Sequence, residues 1–180
     1  MNKIFTDKDV IDSGKFIFGI AVLFILFNFL FSLFPIAWFE YFYAKITIFI
    51  LGIFGITGTI EYKEPVLIFL ELFSLPIGIS YLCTGLLEII VVWSAIIASF
   101  GIEIKKRAIG VVAGTITLVI FNIIRIVGSI LIIGFFGLGV GEFSHDILFR
   151  IFLLIAVAGF YYVWFMWATK QKFKWLKWNM

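Results

Sequence analysis

Three groups of polar side chains interrupt the apolar stretches of the 180-residue sequence. The groups are Cys83 with Thr84, Gly85 and Glu88; Asn122 with Arg125; and Ser144, His145 and Asp146 with Arg150. A thiol, a guanidinium and an imidazole suit nucleophilic acyl transfer, because nearby cations convert a thiol into the reactive thiolate. In a chain this apolar, ionisable residues are functional candidates, since hydrocarbon makes them costly.

Each candidate also has a plain structural interpretation. A lone cysteine in an apolar helix is commonly a small packing residue. Arg125 can pair with Glu88 so that neither charge is left bare in lipid, and Asn122 can bridge two helices by hydrogen bonding. His145 can be an interfacial residue close to a helix cap. The sequence alone leaves these interpretations open.

Composition identifies the environment that must position these groups. Hydrophobic residues make up 63% of the chain, charged residues make up 14%, and the mean hydropathy is +1.18. A water-soluble fold cannot bury that much apolar surface, so we expect an all-α integral membrane protein. The net charge of +3 forms no basic aromatic face, which argues against a nucleic-acid partner. One histidine and one cysteine are too few for a metal site, and we expect no cofactor.

Long apolar runs predict about four transmembrane helices in a single membrane domain, 1–180. The predicted spans are about 16–38, 81–101, 108–136 and 147–168. Between the first two, we expect an extracytoplasmic interfacial region over about 40–80. Its first part, 40–56, predicts a helix lying at the outer interface, and 57–80 predicts short strands or an extended loop before Cys83. A pair of short crossings in this region, giving up to six in all, is the competing interpretation.

Basic residues near the span ends predict the orientation, since such residues are retained in the cytoplasm. They precede the first span, join the second to the third, and follow the fourth: Lys3, Lys8, Lys15, Lys105, Lys106, Arg107, Lys170, Lys172, Lys174 and Lys177. The opposite connections carry only Lys45 and Lys63. We therefore expect a plasma-membrane protein with both termini in the cytoplasm and Cys83 at the extracytoplasmic side.

Counting along the predicted helices brings the polar groups into one layer. At about 1.5 Å per helical residue, Glu88 and Arg125 both lie roughly 27 Å from the turn near Lys106. The same count places Cys83 about 7 Å farther out, within reach of an Arg125 side chain that extends towards the interface. His145 begins the fourth span on this side. Residues distant in sequence are thus expected to form one site.

The order of these motifs resembles the exosortase and archaeosortase family of membrane transpeptidases. The resemblance rests on three motifs: Cys83-Thr84-Gly85-Leu86 opening a helix, Asn122-Ile123-Ile124-Arg125-Ile126 within the next helix, and His145 before the last. An extended segment with Gly58 and Pro76 ahead of the cysteine is also similar to the family pattern. The likeness covers roughly residues 50–165.

The resemblance implies a cysteine transpeptidase, sortase-like in chemistry and unrelated to sortases in fold. Its substrates are exported, membrane-tethered proteins whose C-terminal tail combines a short motif, a hydrophobic helix and a basic cluster. Cys83 is implied as the nucleophile, Arg125 as the group that stabilises the oxyanion or thiolate, and His145 as the proton carrier. Arg150 is the alternative third residue. The supporting residues are Thr84, Gly85, Glu88 and Asn122, and membrane lipid is the expected acceptor.

Two further functions fit the same residues. An intramembrane or interfacial cysteine protease would use the same groups and let water resolve the thioester. A small transporter would use Glu88 and Arg125 as a buried ion pair along a permeation route. The sequence shows no inverted repeat and no matching pair of broken helices, which are the usual signs of a transporter.

Overall fold

A computed structural model describes residues 7–71, 76–144, 147 and 149–169. The α-helices are Asp7–Ser32 (α1), Ile36–Ile53 (α2), Leu86–Ile97 (α3), Ile104–Phe136 (α4), Leu138–Phe143 (α5) and Phe149–Ala168 (α6). The strands are Gly58–Glu61 (β1), Val66–Leu70 (β2) and Ile77–Ile79 (β3), and a 3-10 turn covers Tyr81–Cys83. The sheet is antiparallel, in the order β1-β2-β3. The strands predicted within 57–80 are therefore confirmed.

Four helices are long and apolar enough to cross a membrane, namely α1 from Ser13 onwards, α2, α4 and α6. The chain is a helical membrane protein, as its composition predicts. The set differs from the predicted spans, because 81–101 contains only the 12-residue helix α3. At about 1.5 Å per residue, α3 is about 18 Å long, which is shorter than the roughly 30 Å core of a bilayer. The segment 40–56, predicted as an interfacial helix, falls largely in α2, which has 18 residues.

Pro35 separates α1 from α2, so α1 ends before the predicted limit of the first span, 16–38. The residue before a proline is disfavoured in the helical region, and proline has no N–H to continue the hydrogen bonds of a helix. Pro35 is extended, with φ −60° and ψ 117°, and directly precedes the first residue of α2. The break lets α2 leave the line of α1 and pack against α4.

Helix α2 and the sheet cover the C-terminal half of α4, and we call this layer, α2 with β1 to β3, the cap. The buried face of α2 repeats every three or four residues, as expected for a helix, at Ala37, Glu40, Tyr43, Ala44, Thr47 and Leu51. Alternate residues of the central strand β2 are buried, namely Val66, Ile68 and Leu70. The cap shares one core cluster with α4 through Ile126, Val127 and Ile130.

The end of the molecule that holds Lys106 and Arg107 is called the basic end. Arg107 donates from Nε to the carbonyl of Ile102 at 2.8 Å and from Nη1 to the carbonyl of Ile97 at 3.0 Å. Lys106 Nζ donates to the carbonyl of Ala168, the last residue of α6, at 2.9 Å. Cations satisfy the free carbonyls at a helix C-terminus and interact favourably with the helix dipole. The first turn of α4 thereby ties down the ends of α3 and α6.

Glycine residues allow α4 to approach its neighbours closely near the basic end. The indole Nε1 of the buried Trp164 donates to the carbonyl of Lys106 at 3.1 Å. A Cβ added at Gly110 would overlap this indole ring. A Cβ at Gly114 would meet Phe160 at 2.9 Å. Side chains of α6 therefore fill the space that the glycine residues of α4 leave open.

We expect Gly110→Ala to lower the thermal stability of the detergent-solubilised protein. The Trp164 indole must move to admit the methyl group, and overpacking of this kind typically costs about 1–3 kcal/mol. Gly159→Ala is the matched control, because no neighbouring atom of the described residues lies within 4 Å of its added Cβ. Alanine there favours the helix by about 0.5–1 kcal/mol. Thermal unfolding followed by circular dichroism measures both variants, and equal melting temperatures would contradict the close packing.

Candidate active site

Residues 80–85, called the Cys83 loop, connect β3 to α3. Its turn is closed by backbone hydrogen bonds from the Cys83 N–H to the Ser80 carbonyl, at 2.8 Å, and from the Thr84 N–H to the Tyr81 carbonyl, at 3.1 Å. The Thr84 hydroxyl donates to the same Tyr81 carbonyl at 2.7 Å. Cys83 therefore lies in a 3-10 turn ahead of α3, whereas the sequence predicted that it opens a helix.

Asn122 of α4 anchors this loop. Its Nδ2 donates to the carbonyl oxygen of Cys83 at 2.6 Å, and the residue is 0% exposed. Gly85 makes the approach sterically feasible. Its φ of 67° is left-handed, a conformation that costs other residues about 1–2 kcal/mol, and a Cβ there would lie 3.0 Å from Asn122 Cγ. The left-handed backbone and the close approach of Asn122 thus explain why glycine occupies position 85.

Arg125, one turn farther along α4, bonds to the same loop. Its Nη2 donates to the Leu82 carbonyl at 3.2 Å, and the residue is only 6% exposed. The counting placed Cys83 about 7 Å farther out than Arg125, whereas the Cys83 carbonyl lies against Asn122, one turn before Arg125. The counting assumed a continuous helix, but the left-handed Gly85 takes the preceding residues off the axis of α3.

Glu88 does not form an ion pair with Arg125, although the structure describes both residues. The guanidinium bonds to the Leu82 carbonyl instead. Glu88 lies in the first turn of α3, where the positive end of the helix dipole favours a carboxylate. Burial raises the pKa of the Tyr81 phenol, and the negative charge of Glu88 raises it further. This phenol therefore keeps its proton at neutral pH.

Tyr43 of α2 is a site residue that the sequence did not single out. It is 3% exposed, and it lines the same cavity as Thr84 of the Cys83 loop. Cys83 packs against the core cluster to which Tyr43 belongs. Helix α2 therefore contributes a hydroxyl group to the polar layer that α4 and the Cys83 loop form.

Glu40, one turn before Tyr43, is a second polar residue on the buried face of α2. Its Oε2 accepts a hydrogen bond from the N–H of Val66 at 3.1 Å. The contact joins α2 to the first residue of β2 and holds the cap together. A sequence signal existed, because Glu40, Tyr43 and Thr47 are spaced to share one helical face, but the identity of their partners depends on tertiary packing.

The structure does not identify the third predicted catalytic residue, for which His145 and Arg150 are the candidates. His145 and Asp146 lie outside the described residues. Ser144, just before them, is buried. Arg150 lies in the first turn of α6, and its side chain is exposed. The choice between His145 and Arg150 therefore stays a prediction.

Two cavities adjoin the site on different faces of α4. A pocket of about 440 Å³ lies among α1, α2, α3 and α4, with Tyr43 and Thr84 in its wall. A cleft of about 280 Å³ lies between α4 and α6, with Arg125 and Phe149 in its wall. A wider cavity of about 710 Å³ at the basic end, beside Lys15, is lined by none of the candidate site residues. The two smaller cavities are therefore the ones relevant to the site.

The arrangement suits nucleophilic chemistry at Cys83. Its Sγ lies 3.5 Å from Ser80 Oγ, and the residue is partly exposed. Asn122 and Arg125 bond to two successive carbonyls of the loop, so a buried cation lies against the backbone of Leu82, the residue before Cys83. Such a cation favours the thiolate form of cysteine. Among the described residues, no group of three His, Cys, Asp or Glu side chains could hold a metal ion.

We expect Asn122→Ala to destabilise the protein, because the Cys83 carbonyl loses its buried donor. Leaving one partner of a buried hydrogen bond unsatisfied typically costs about 1–3 kcal/mol. Thr117→Ala, at a partly buried position of the same helix, is the control. Melting temperatures and the rate of Cys83 alkylation by iodoacetamide measure the effect, with faster alkylation expected once the loop is released. If Asn122→Ala matched the control in both measurements, the anchoring role would be refuted.

Comparisons with known proteins identify no relative of this chain. Neither a protein-family model nor a curated protein nor a solved structure matches the chain. The chemistry of the site is therefore argued from the residues that α2, α4 and the Cys83 loop bring together.

Proposed function

We propose that this protein is a membrane cysteine transpeptidase that cleaves the C-terminal tails of exported, membrane-tethered proteins. One observation carries the proposal. Asn122 and Arg125, which form one motif of α4, both bond to the backbone of the loop that presents the sole cysteine. Two sequence-distant motifs of the family that the sequence resembles therefore meet in one place, and the second supplies a buried cation that bonds to the residue before the nucleophile.

In the proposed reaction, the Cys83 thiolate attacks the scissile carbonyl of the tail. A carbon–sulfur bond forms, the carbon–nitrogen bond breaks, and the leaving amine takes up a proton. Arg125 stabilises the negative charge that develops on the carbonyl oxygen, a contribution that is often large in acyl transfer. A second nucleophile then attacks the thioester and releases the thiol. His145 is the proposed proton carrier for both steps, with Arg150 as its alternative.

The proposed orientation places both termini in the cytoplasm and Cys83 at the extracytoplasmic side of the plasma membrane. The helix length of α4 supports it, because Asn122 lies about 27 Å along the axis from Ile104, close to the roughly 30 Å thickness of a bilayer core. With the basic end at the cytoplasmic surface, the Cys83 loop reaches the opposite interface. An exported protein with such a tail presents the short motif ahead of its hydrophobic helix on that side, since the basic cluster is retained in the cytoplasm.

The acceptor distinguishes the proposed transferase from a simple protease. We propose a membrane lipid as acceptor, whereas a protease would use water to release the thioester. Mass spectrometry of the mature substrate separates the two, since a lipid adduct marks transfer and a free carboxylate marks hydrolysis. The transporter alternative has less support, because Arg125 bonds to the Leu82 carbonyl rather than to Glu88.

We expect Cys83→Ala to abolish tail removal in cells while the protein still inserts into the membrane. The substitution removes the nucleophile and changes little else, because the Cys83 carbonyl that Asn122 binds is retained. Ser32→Ala, at an exposed position, is the control for expression and insertion. Immunoblots of candidate substrates with a basic C-terminal end measure processing. Tail removal that continues undiminished in Cys83→Ala refutes the proposed function.

We also expect Arg125→Gln to slow labelling of Cys83 by a membrane-impermeant thiol reagent added to intact cells at pH 7. Loss of the cation should raise the pKa of the Cys83 thiol, so less thiolate is present at pH 7. At high pH, the Cys83 thiol is fully ionised in both the wild type and the variant. The difference in rate should therefore shrink as the pH rises towards 10. Lys63→Gln, which removes an exposed cation from the loop between β1 and β2, is the control and should label like the wild type.

The labelling experiment separates loss of charge from loss of fold. A misfolded Arg125→Gln variant would differ from the wild type at every pH and would elute differently in size-exclusion chromatography. A labelling rate for Arg125→Gln equal to that of the wild type across the pH range would contradict the proposed role of Arg125.

A further inference from the structure

The pocket of about 440 Å³ beside the Cys83 loop is enclosed by α1, α2, α3 and α4. Its volume lies within the range of about 300–1,000 Å³ that is typical of small-ligand sites. Six aromatic residues contribute to its wall, namely Phe31, Trp38, Phe39, Phe42, Tyr43 and Trp93. We call it the aromatic pocket.

The Cys83 loop forms part of the pocket wall. Thr84, the residue directly after the candidate nucleophile, lines the pocket, and so does Leu86 at the start of α3. Tyr43 lines it as well and belongs to the core cluster against which Cys83 packs. Thr84 and Tyr43 therefore connect the pocket wall to the residues next to Cys83.

The hydroxyl groups of the two threonine residues in the wall are engaged within the protein. The Thr84 hydroxyl donates to the Tyr81 carbonyl. The Thr115 hydroxyl accepts a hydrogen bond from the Trp93 indole at 2.8 Å. The pocket thus presents mainly apolar and aromatic surface to an occupant. Aromatic rings pack favourably in edge-to-face contacts, which suits a ring or another bulky apolar side chain.

We propose that the aromatic pocket is the specificity pocket of the enzyme and receives a large apolar side chain, preferably an aromatic one, from the substrate residue whose carbonyl Cys83 attacks. The proposal rests on the proposed function. In cysteine acyl transfer, the side chain on the attacked carbonyl enters the space next to the nucleophile. Thr84, the residue directly after Cys83, forms part of the wall of the aromatic pocket. Substrates would be selected by the fit of this one side chain.

Two covalent probes test the pocket without a known substrate: acetyl-phenylalanyl chloromethyl ketone and acetyl-alanyl chloromethyl ketone. In each reaction, the Cys83 thiolate forms a carbon–sulfur bond to the methylene carbon and chloride leaves. Intact-protein mass spectrometry of the purified full-length protein follows the adduct, and Cys83→Ala gives the background. We expect the phenylalanyl probe to react at least about tenfold faster, since even one methylene group in an apolar pocket is worth about tenfold or more.

Val119→Phe fills the pocket from α4, and Val112→Phe makes the same change at an exposed position of that helix. The ratio of the two probe rates should fall towards one in Val119→Phe and stay at the wild-type value in Val112→Phe. Iodoacetamide, which is too small to need the pocket, should alkylate Cys83 equally in both variants. Trp38→Ala removes an exposed part of the wall and should also lower the ratio, which keeps the test valid if Val119→Phe does not fold.

A wild-type ratio near one, or a ratio that neither Val119→Phe nor Trp38→Ala changes, overturns the proposal. Selectivity that is present in detergent but lost in phosphatidylcholine vesicles would identify a lipid acyl chain as the occupant and overturn it too. Failure of the proposed function is distinguishable from these outcomes. A protein with probe selectivity whose Cys83→Ala variant still processes tails would keep the pocket and lose the transpeptidase assignment.

Discussion

A buried amide and a buried guanidinium on one helix require hydrogen-bond acceptors, and the Cys83 loop supplies them. Asn122 bonds to the Cys83 carbonyl and Arg125 bonds to the Leu82 carbonyl. The carbonyls inside a regular helix already accept backbone hydrogen bonds, so a non-helical segment is needed to offer two in succession. The irregular turn ahead of α3, and with it the position of the thiol, follows from this requirement of α4.

The cap converts this pair of hydrogen bonds into an enclosed polar layer. Tyr43 adds a buried phenol from α2, and the carboxylate of Glu40 accepts a hydrogen bond from the first residue of β2. Exclusion of water and lipid lowers the local dielectric constant, which strengthens the hydrogen bonds that are made and raises the cost of those that are not. Hydrogen bonds between elements distant in sequence therefore hold α4, the Cys83 loop, α2 and β2 together.

The membrane class and the meeting of the Cys83 and Arg125 segments were predictable, because apolar runs and a basic turn between two neighbouring helices are local features of the sequence. The turn at Gly85 was not, since one glycine in an apolar run is compatible with a helix. The contribution of Tyr43 also escaped prediction, because its partners come from distant elements. Pro35 did indicate a break between α1 and α2. The first span was nevertheless predicted to continue to residue 38, because the residues after Pro35 are also apolar.

Helix α4 has 33 residues and is about 50 Å long, well beyond the roughly 30 Å of a bilayer core. The buried side chains in its C-terminal half contact the cap rather than lipid. A thicker or thinner bilayer would move the lipid boundary along the outer surface of α4 at a modest energetic cost. The acceptors of Asn122 and Arg125 would stay the same, because both are protein carbonyls. The hydrogen bonding of the site is therefore insulated from hydrophobic mismatch, so membranes of different thickness would leave it unchanged.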